Sequence, residues 1–392
     1  MKARIIILAS VFLLVFNLAI PTTVLSENGP PKKKWKPKEW KGEGTKIEFQ
    51  SIPVITIKDF LEGKKSERQV TVWGTLNFPA NAPDKNVPVV VIMHGGGGIY
   101  VWEEHWMNTF NSMGLATFVV DSNWARRNCK KDNNFKKAIP NCNDIHRGIT
   151  RIADGYGALE LLSKHPRIDP KRIGCIGMSL GGRGCLYLNV KRFQKMWGTP
   201  GLEFAASVPM YPPCNVIFKE DDEITDTPIR IHVGELDTYF PFDSCVDYVK
   251  RLRAKGKDVK IKVYPGVHHS FIAKITTQHG PQTTFKQKVR RNDGRCYYEE
   301  NTALPVVEMA PDNVAAISQI GFNEWYVSAT KKEKKKIFKK INLPHRFGWR
   351  FPQIDFDTSC IIKYQTNEYN KEAAEEATKL VKEFFTTTFK LQ

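Results

Sequence analysis

No Cys-x-x-Cys pair and no His-Glu-x-x-His run occurs in the 392 residues, so the sequence offers no zinc site. A Walker-type phosphate loop is absent too: the four glycines Gly95–Gly98 run into Ile99-Tyr100, not into Gly-Lys-Ser/Thr. No internal repeat is visible, which sets aside solenoids and propellers. Acidic residues are scarce relative to basic ones, 41 Asp and Glu against 59 Lys and Arg, leaving a formal net charge of +18. Part of the excess sits in Lys32-Lys33-Lys34-Trp35-Lys36-Pro37-Lys38, and seven lysines fall in residues 331–340. Such runs are ordinarily solvated tails or exposed helix faces. Their sharper reading is attraction to an anionic envelope or polysaccharide surface. Alternating Lys and Trp can stack bases, but the rest of the chain points away from nucleic acid.

What is present begins with Met1-Lys2-Ala3-Arg4, a positive start before the almost wholly apolar stretch Ile5–Ile20, and with small residues around Val24-Leu25-Ser26. This reads as a signal peptide over residues 1–26, which makes the protein secreted or periplasmic. The apolar stretch is shorter than the roughly 20 residues of a spanning helix, so an uncleaved membrane anchor is the lesser reading. Residues 27–46 follow as a flexible basic tail. In an oxidising compartment the eight cysteines can pair. Cys129 and Cys142 bracket a polar Lys/Asn-rich stretch, and Cys296 and Cys360 lie at the two ends of a long irregular segment; each is a candidate pair. Cys175, in the apolar run Ile173–Ile176, and Cys185, on an expected helix, read as buried free thiols.

A hydrophobic content of 41% suffices for one large core. Apolar runs at Val54–Ile57, Gln69–Leu76, Val89–Met93, Leu115–Val120, Ile173–Gly177, Ala205–Met210, Ile229–Val233 and Val259–Tyr264 read as strands. Val89–Met93 is continuously apolar and β-branched, as a strand buried on both faces should be. Between them, Ile149–Lys164 carries Ile152, Tyr156, Leu159 and Leu162 on one helical stripe, Asp169-Pro170-Lys171-Arg172 reads as a turn, and helices follow from Leu180 and over Tyr248–Lys255. Lys371–Phe385 is an amphipathic helix. The alternation predicts a mostly parallel sheet covered by helices on both faces. Residues 47–277 form the α/β core. Residues 278–360 break the rhythm and read as an insertion before the last helix, folding over the site as a lid or packing on one side. Residues 361–392 carry the helix that completes the core.

The chemistry starts at Gly177-Met178-Ser179-Leu180-Gly181. A strand precedes this Gly-x-Ser-x-Gly motif and a helix follows, which is the sharp turn that exposes a nucleophilic hydroxyl. Ser179 needs a base. His268-His269 follows the strand Val259–Tyr264, late in the chain where a Ser…Asp…His order places it. The imidazolium needs an acid partner. Asp237 stands directly after the strand Ile229–Val233, with Asp226, Glu235 and Asp243 as competitors. An oxyanion would be held by the N–H of Leu180 and by one from the glycine run, Gly96 or Gly97.

Together these residues resemble the dienelactone hydrolase family of the α/β hydrolases. The similarity extends to Val120-Asp121-Ser122 with Arg126, to Arg151–Leu159, to Ile168–Gly174 leading into the motif, and to Tyr264-Pro265-Gly266-Val267-His268-His269-Ser270-Phe271. It covers roughly residues 70–275 and the final helix. The resemblance implies an α/β-hydrolase fold, selects His269 over His268, and implies a Cys214–Cys245 bridge as in exported relatives. Archetypal members use a cysteine nucleophile; Ser179 in its place suits ordinary ester hydrolysis. The implied substrate is a small-molecule or polymer-borne ester, with no metal and no organic cofactor. Rival readings are a serine peptidase of prolyl-oligopeptidase type, a carbohydrate acyl-esterase, and a non-catalytic envelope-binding protein acting through its lysine clusters.

Overall fold

The computed structural model describes residues 44–52, 57–65, 70–123, 147–237, 240, 242–272, 289–290, 296–299 and 368–391. In chain order these form β1 (Thr45–Ser51), α1 (Ile57–Glu62), β2 (Val70–Asn77), β3 (Val87–Met93), α2 (Val101–Ser112), β4 (Ala116–Asp121), α3 (Arg147–Ser163), β5 (Ile168–Met178), α4 (Leu180–Tyr187), α5 (Lys191–Trp197), β6 (Ala206–Met210), β7 (Val216–Ile217), β8 (Ile229–Gly234), α6 (Phe242–Ala254), β9 (Val259–Tyr264), β10 (Val289–Arg290), β11 (Cys296–Glu299) and α7 (Lys371–Phe389). The segments read as signal peptide and the two lysine clusters lie outside the described residues, as do Cys129, Cys142 and Cys360; Cys296 is described only as backbone of β11.

Eight strands make one sheet in the order β1-β2-β4-β3-β5-β6-β8-β9. The first three pair antiparallel, and every pairing from β4 to β9 is parallel. This is the mostly parallel, helix-flanked sheet of an α/β-hydrolase. β3 is buried along its whole length and its side chains alternate between two cores. Val89, Val91 and Met93 join the side covered by α3 and α4, where Ile152, Tyr156, Leu159 and Leu162 are buried. Val90 and Ile92 join the other side with Trp106 and Phe110 of α2. That alternation is the period of two that a pleated strand imposes.

α7 closes the second side. Ala373, Ala377, Val381, Phe385 and Phe389, each four residues apart, are all buried against it. A side chain on Gly174 of β5 would place its Cβ 2.5 Å from the Phe385 ring, so the glycine makes room for the phenylalanine. Burying one such ring stabilises the fold by roughly 1.5–3 kcal/mol. Asn370 caps the helix by accepting the Ala373 N–H at 2.9 Å.

The sequence pattern differs from the structure in three places. Ile57 opens α1, whereas the apolar run Val54–Ile57 was expected to be a strand; residues 53–56 lie outside the described residues. The expected turn at Asp169–Arg172 is absorbed into β5 as a register break: Val87 pairs with Ile168, but Val89 already pairs with Ile173. Asp169 holds the break together, accepting from Lys171 N–H and Arg172 Nε. Cys175 and Cys185 are buried but not free, because they are bridged to each other, with Cα atoms 5.8 Å apart. α4 folds back along β5 and brings the two sulfurs together. A second bridge joins Cys214 and Cys245, with Cα atoms 4.9 Å apart.

Of the segment expected to be an insertion, β10 and β11 are described. They pair antiparallel, and β11 adds in parallel to β7 through Tyr298–Val216 and Glu299–Ile217.

Candidate active site at the carboxyl ends of the parallel strands

Ser179 sits between β5 and α4 with φ 54° and ψ −112°, a backbone conformation that a residue with a side chain rarely adopts. Its N–H donates to Met210 O at 2.9 Å, tying the turn to the end of β6. The flanking glycines are required by close approach. A Cβ on Gly177 would lie 2.2 Å from Gly181 O, and one on Gly181 would lie 2.1 Å from Met93 O. Ser179 is half-buried while every residue of α4 is buried, so the N-terminus of that helix acts in poorly screened surroundings.

His269 and Asp237 meet at the next strand ends. His269 Nδ1–H donates to Asp237 Oδ2 at 2.6 Å, and both side chains are buried. That bond leaves Nε2 as the acceptor nitrogen of the neutral ring. Asp237 Oδ1 accepts the Phe240 N–H at 2.9 Å, so each carboxylate oxygen has a donor. The imidazole is held between ring edges, Tyr211 at 4.7 Å and Phe240 at 5.5 Å between centroids. His268 turns elsewhere, with Nδ1 at Leu236 O and Nε2 3.5 Å from Glu368. The competing acids are engaged away from the ring: Glu235 accepts Gly266 N–H, and Asp226 pairs with Lys257. His232 is a core histidine. Burial, with the Lys262 and Arg230 charges, pushes it down to about 3, and its Nδ1 takes the Tyr264 hydroxyl at 2.8 Å.

The glycine run lies against Ser179. A Cβ on Gly95 would contact Ser179 Cβ at 3.6 Å, and one on Gly96 would meet Leu180 Cδ1 at 3.3 Å. Its carbonyls are pinned from behind. Arg151 of α3, only 1% exposed, donates through Nε to His94 O and through Nη2 to Gly95 O and to Asn123 Oδ1. Asn123 Nδ2 in turn donates to Gly96 O at 3.1 Å. No peptide bond here is cis, and in a trans peptide the N–H points opposite to the carbonyl. With the Gly95 and Gly96 carbonyls drawn to Arg151 and Asn123, the N–H groups of Gly96 and Gly97 face the other way.

Arg151, Asn123 and Tyr211 support the candidate site, and the sequence did not single them out. Tyr211 follows β6 with φ 37°, and it links the two halves of the site: Met210 before it accepts from Ser179 N–H, and its own ring packs on His269. Burial pushes its phenol well above its ordinary range, and the charges of Glu103 and Asp237 add to the effect.

The sequence model of the dienelactone hydrolase family matches residues 74–291. The protein usf of Aquifex pyrophilus is 33% identical over 115 residues, 29% of this chain and 46% of that protein. The chain spans less than half the length of the curated relatives it matches. Among solved structures, a thermophilic esterase from Thermogutta terrifontis is 15% identical with a TM-score of 0.40, over 53% of this chain and 83% of the other. A dienelactone hydrolase-like promiscuous phosphotriesterase from metagenomic libraries is 16% identical with a TM-score of 0.40, over 59% of this chain and 86% of the other.

Proposed function

Since the chain belongs to the dienelactone hydrolase family, we propose that it is an exported serine hydrolase that cleaves carboxylic esters through an acyl-enzyme on Ser179. The observation that carries this reading is the buried His269–Asp237 hydrogen bond, set at the same end of the sheet as the strained Ser179 turn and joined to it through Tyr211. In the first step His269 Nε2 takes the Ser179 proton as the hydroxyl attacks the ester carbonyl. Asp237 fixes the tautomer and stabilises the imidazolium. The N–H of Leu180, with that of Gly96 or Gly97, holds the oxyanion. His269 then protonates the leaving alcohol, and water resolves the acyl-enzyme by the same steps. The two disulfides of the core and the apolar stretch Ile5–Ile20 support export. The lysine clusters fit attraction to an anionic surface that carries the ester.

The test is hydrolysis of a panel of activated esters of increasing acyl length by the protein from residue 27 onward, beside Ser179→Ala and His269→Ala. Loss of turnover by up to about 10⁶-fold in both variants is expected, with His268→Ala near the parent rate. Equal turnover in parent and Ser179→Ala would sink the reading, and amide cleavage in preference to ester cleavage would transfer it to a peptidase.

A further inference from the structure

Glu103, at the third position of α2, is wholly buried, with its carboxyl facing the N–H groups of Gly95 and Tyr100 on the glycine loop. Tyr100 N–H donates to its Oε2 at 2.6 Å, whereas Oε1 is buried without a hydrogen-bond partner. A buried carboxylate with one bare oxygen is costly, because both oxygens of the anion lose water and only one is compensated. The charged or titratable groups facing it are few. Arg151 comes from α3 with its guanidinium hydrogen-bonded to His94 O, Gly95 O and Asn123. Tyr211 comes from the end of β6, with its hydroxyl buried as well. Tyr100 and His94 belong to the loop itself. None of the acyl-transfer steps above uses this acid.

We propose that Glu103 is a positioning residue of the oxyanion loop, working in its neutral, protonated form. Uncharged, it anchors the Tyr100 N–H at the start of α2 and leaves the site beyond the loop free for a developing negative charge. Ionised, it sets a fixed negative charge behind the same loop and pulls on its backbone N–H groups, opposing the oxyanion. Burial pushes the Glu103 carboxyl up to about 8, against the N–H groups of Tyr100, Glu103 and Gly95 and the Arg151 charge, so the proton is held at neutral pH. This inference rests on the Ser179 acyl-transfer reading.

Two measurements on the parent protein and one on a variant test it. Turnover of phenyl acetate is followed by pH-stat from about pH 6 to about pH 10, with kcat and KM separated. In parallel, infrared difference spectra follow the protonated-carboxyl band. The expected result is a carboxyl band that disappears as pH rises through about 8, with kcat falling about tenfold over the same range and KM steady. Glu103→Gln, which keeps the shape and carries no charge, should lack both the band and the fall. A parent with no such band at neutral pH, or with a band whose loss leaves kcat unchanged, overturns the proposal even if the variant does not fold. The same fall in Glu103→Gln overturns it as well. Absence of Ser179-dependent turnover is a separate outcome: it removes the acyl-transfer reading and the proposal with it, whatever the infrared band does.

Discussion

Changing both Cys214 and Cys245 to alanine removes the bridge that ties the segment after β6 to α6, on either side of the Asp237 turn. The two sulfurs are 31 residues apart in sequence. Cross-linking a loop of that length removes about 12 cal/mol/K of entropy from the unfolded chain, or about 3.7 kcal/mol at 25 °C. Both side chains are buried, so the missing sulfurs leave a small cavity costing roughly 1 kcal/mol more. The Cys175–Cys185 bridge closes only 10 residues, and the same relation gives about 2.7 kcal/mol. Urea unfolding of the parent, C214A/C245A and C175A/C185A without reductant should therefore show losses of roughly 4–5 and roughly 3–4 kcal/mol. The slope against urea should rise in both variants, because an unlinked chain exposes more surface when unfolded. A loss under about 1 kcal/mol with an unchanged slope would mean that the pair is not cross-linked in the folded protein. A larger loss for the short loop would refute the assignment of these effects to unfolded-chain entropy.

Gly181→Ala places a methyl carbon 2.1 Å from Met93 O and 2.9 Å from His94 O, so the Ser179 turn and the end of β3 must separate. The expected cost is more than about 3 kcal/mol, with turnover falling further than stability alone explains; a thermal melt and ester turnover both at parent values would refute the close approach. Stability should also carry the signature of Glu103. Its carboxyl ionises near the ordinary 4.5 when unfolded and at about 8 when folded, so between those values the folded protein holds the extra proton. Its contribution is full below the lower value, declines as pH rises and levels off above the upper one, by up to roughly 5 kcal/mol. Glu103→Gln lacks that slope, and parallel urea midpoints for parent and variant across the range would contradict it.

Local physics made much of this legible. The run Val89–Met93 could only be a strand covered on both faces, and Gly177-Met178-Ser179-Leu180-Gly181 carries its own turn chemistry. Asp237 stood at a strand end, where the sheet gathers its loops. The choice between His268 and His269 was not local. Nothing in the two residues themselves separates them: the family resemblance selected His269, and it is His269 that hydrogen-bonds Asp237 while His268 turns to Leu236 O. The Cys175–Cys185 pair was read as apolar surroundings alone, because pairing needs α4 to fold back on β5. Glu103 and Arg151 were hidden for a related reason. An acid in the first turn of a helix is ordinarily a solvated partner of the helix dipole, and an arginine on a helix is ordinarily its wet face. Packing of α2 and α3 behind the glycine run reverses both expectations.

The histidine loop shows how the fold and the site share their supports. Trp102 Nε1 of α2 donates to Ser270 O at 3.3 Å. From the returning chain, Glu368 N–H donates to His269 O and Asn370 N–H to Phe271 O, both at 3.2 Å. Asn370 is at the same time the cap of α7, whose apolar stripe closes one side of the sheet. One residue thus starts the last helix and fastens the loop bearing the proposed base. Ser179, by contrast, is fixed from within the sheet, by β5, β6 and the glycine approach to β3. The two halves of the site are therefore secured by parts of the chain almost two hundred residues apart. Their alignment depends on α7 docking, so loosening the Phe385 and Phe389 contacts should disturb imidazole placement before it disturbs the Ser179 turn.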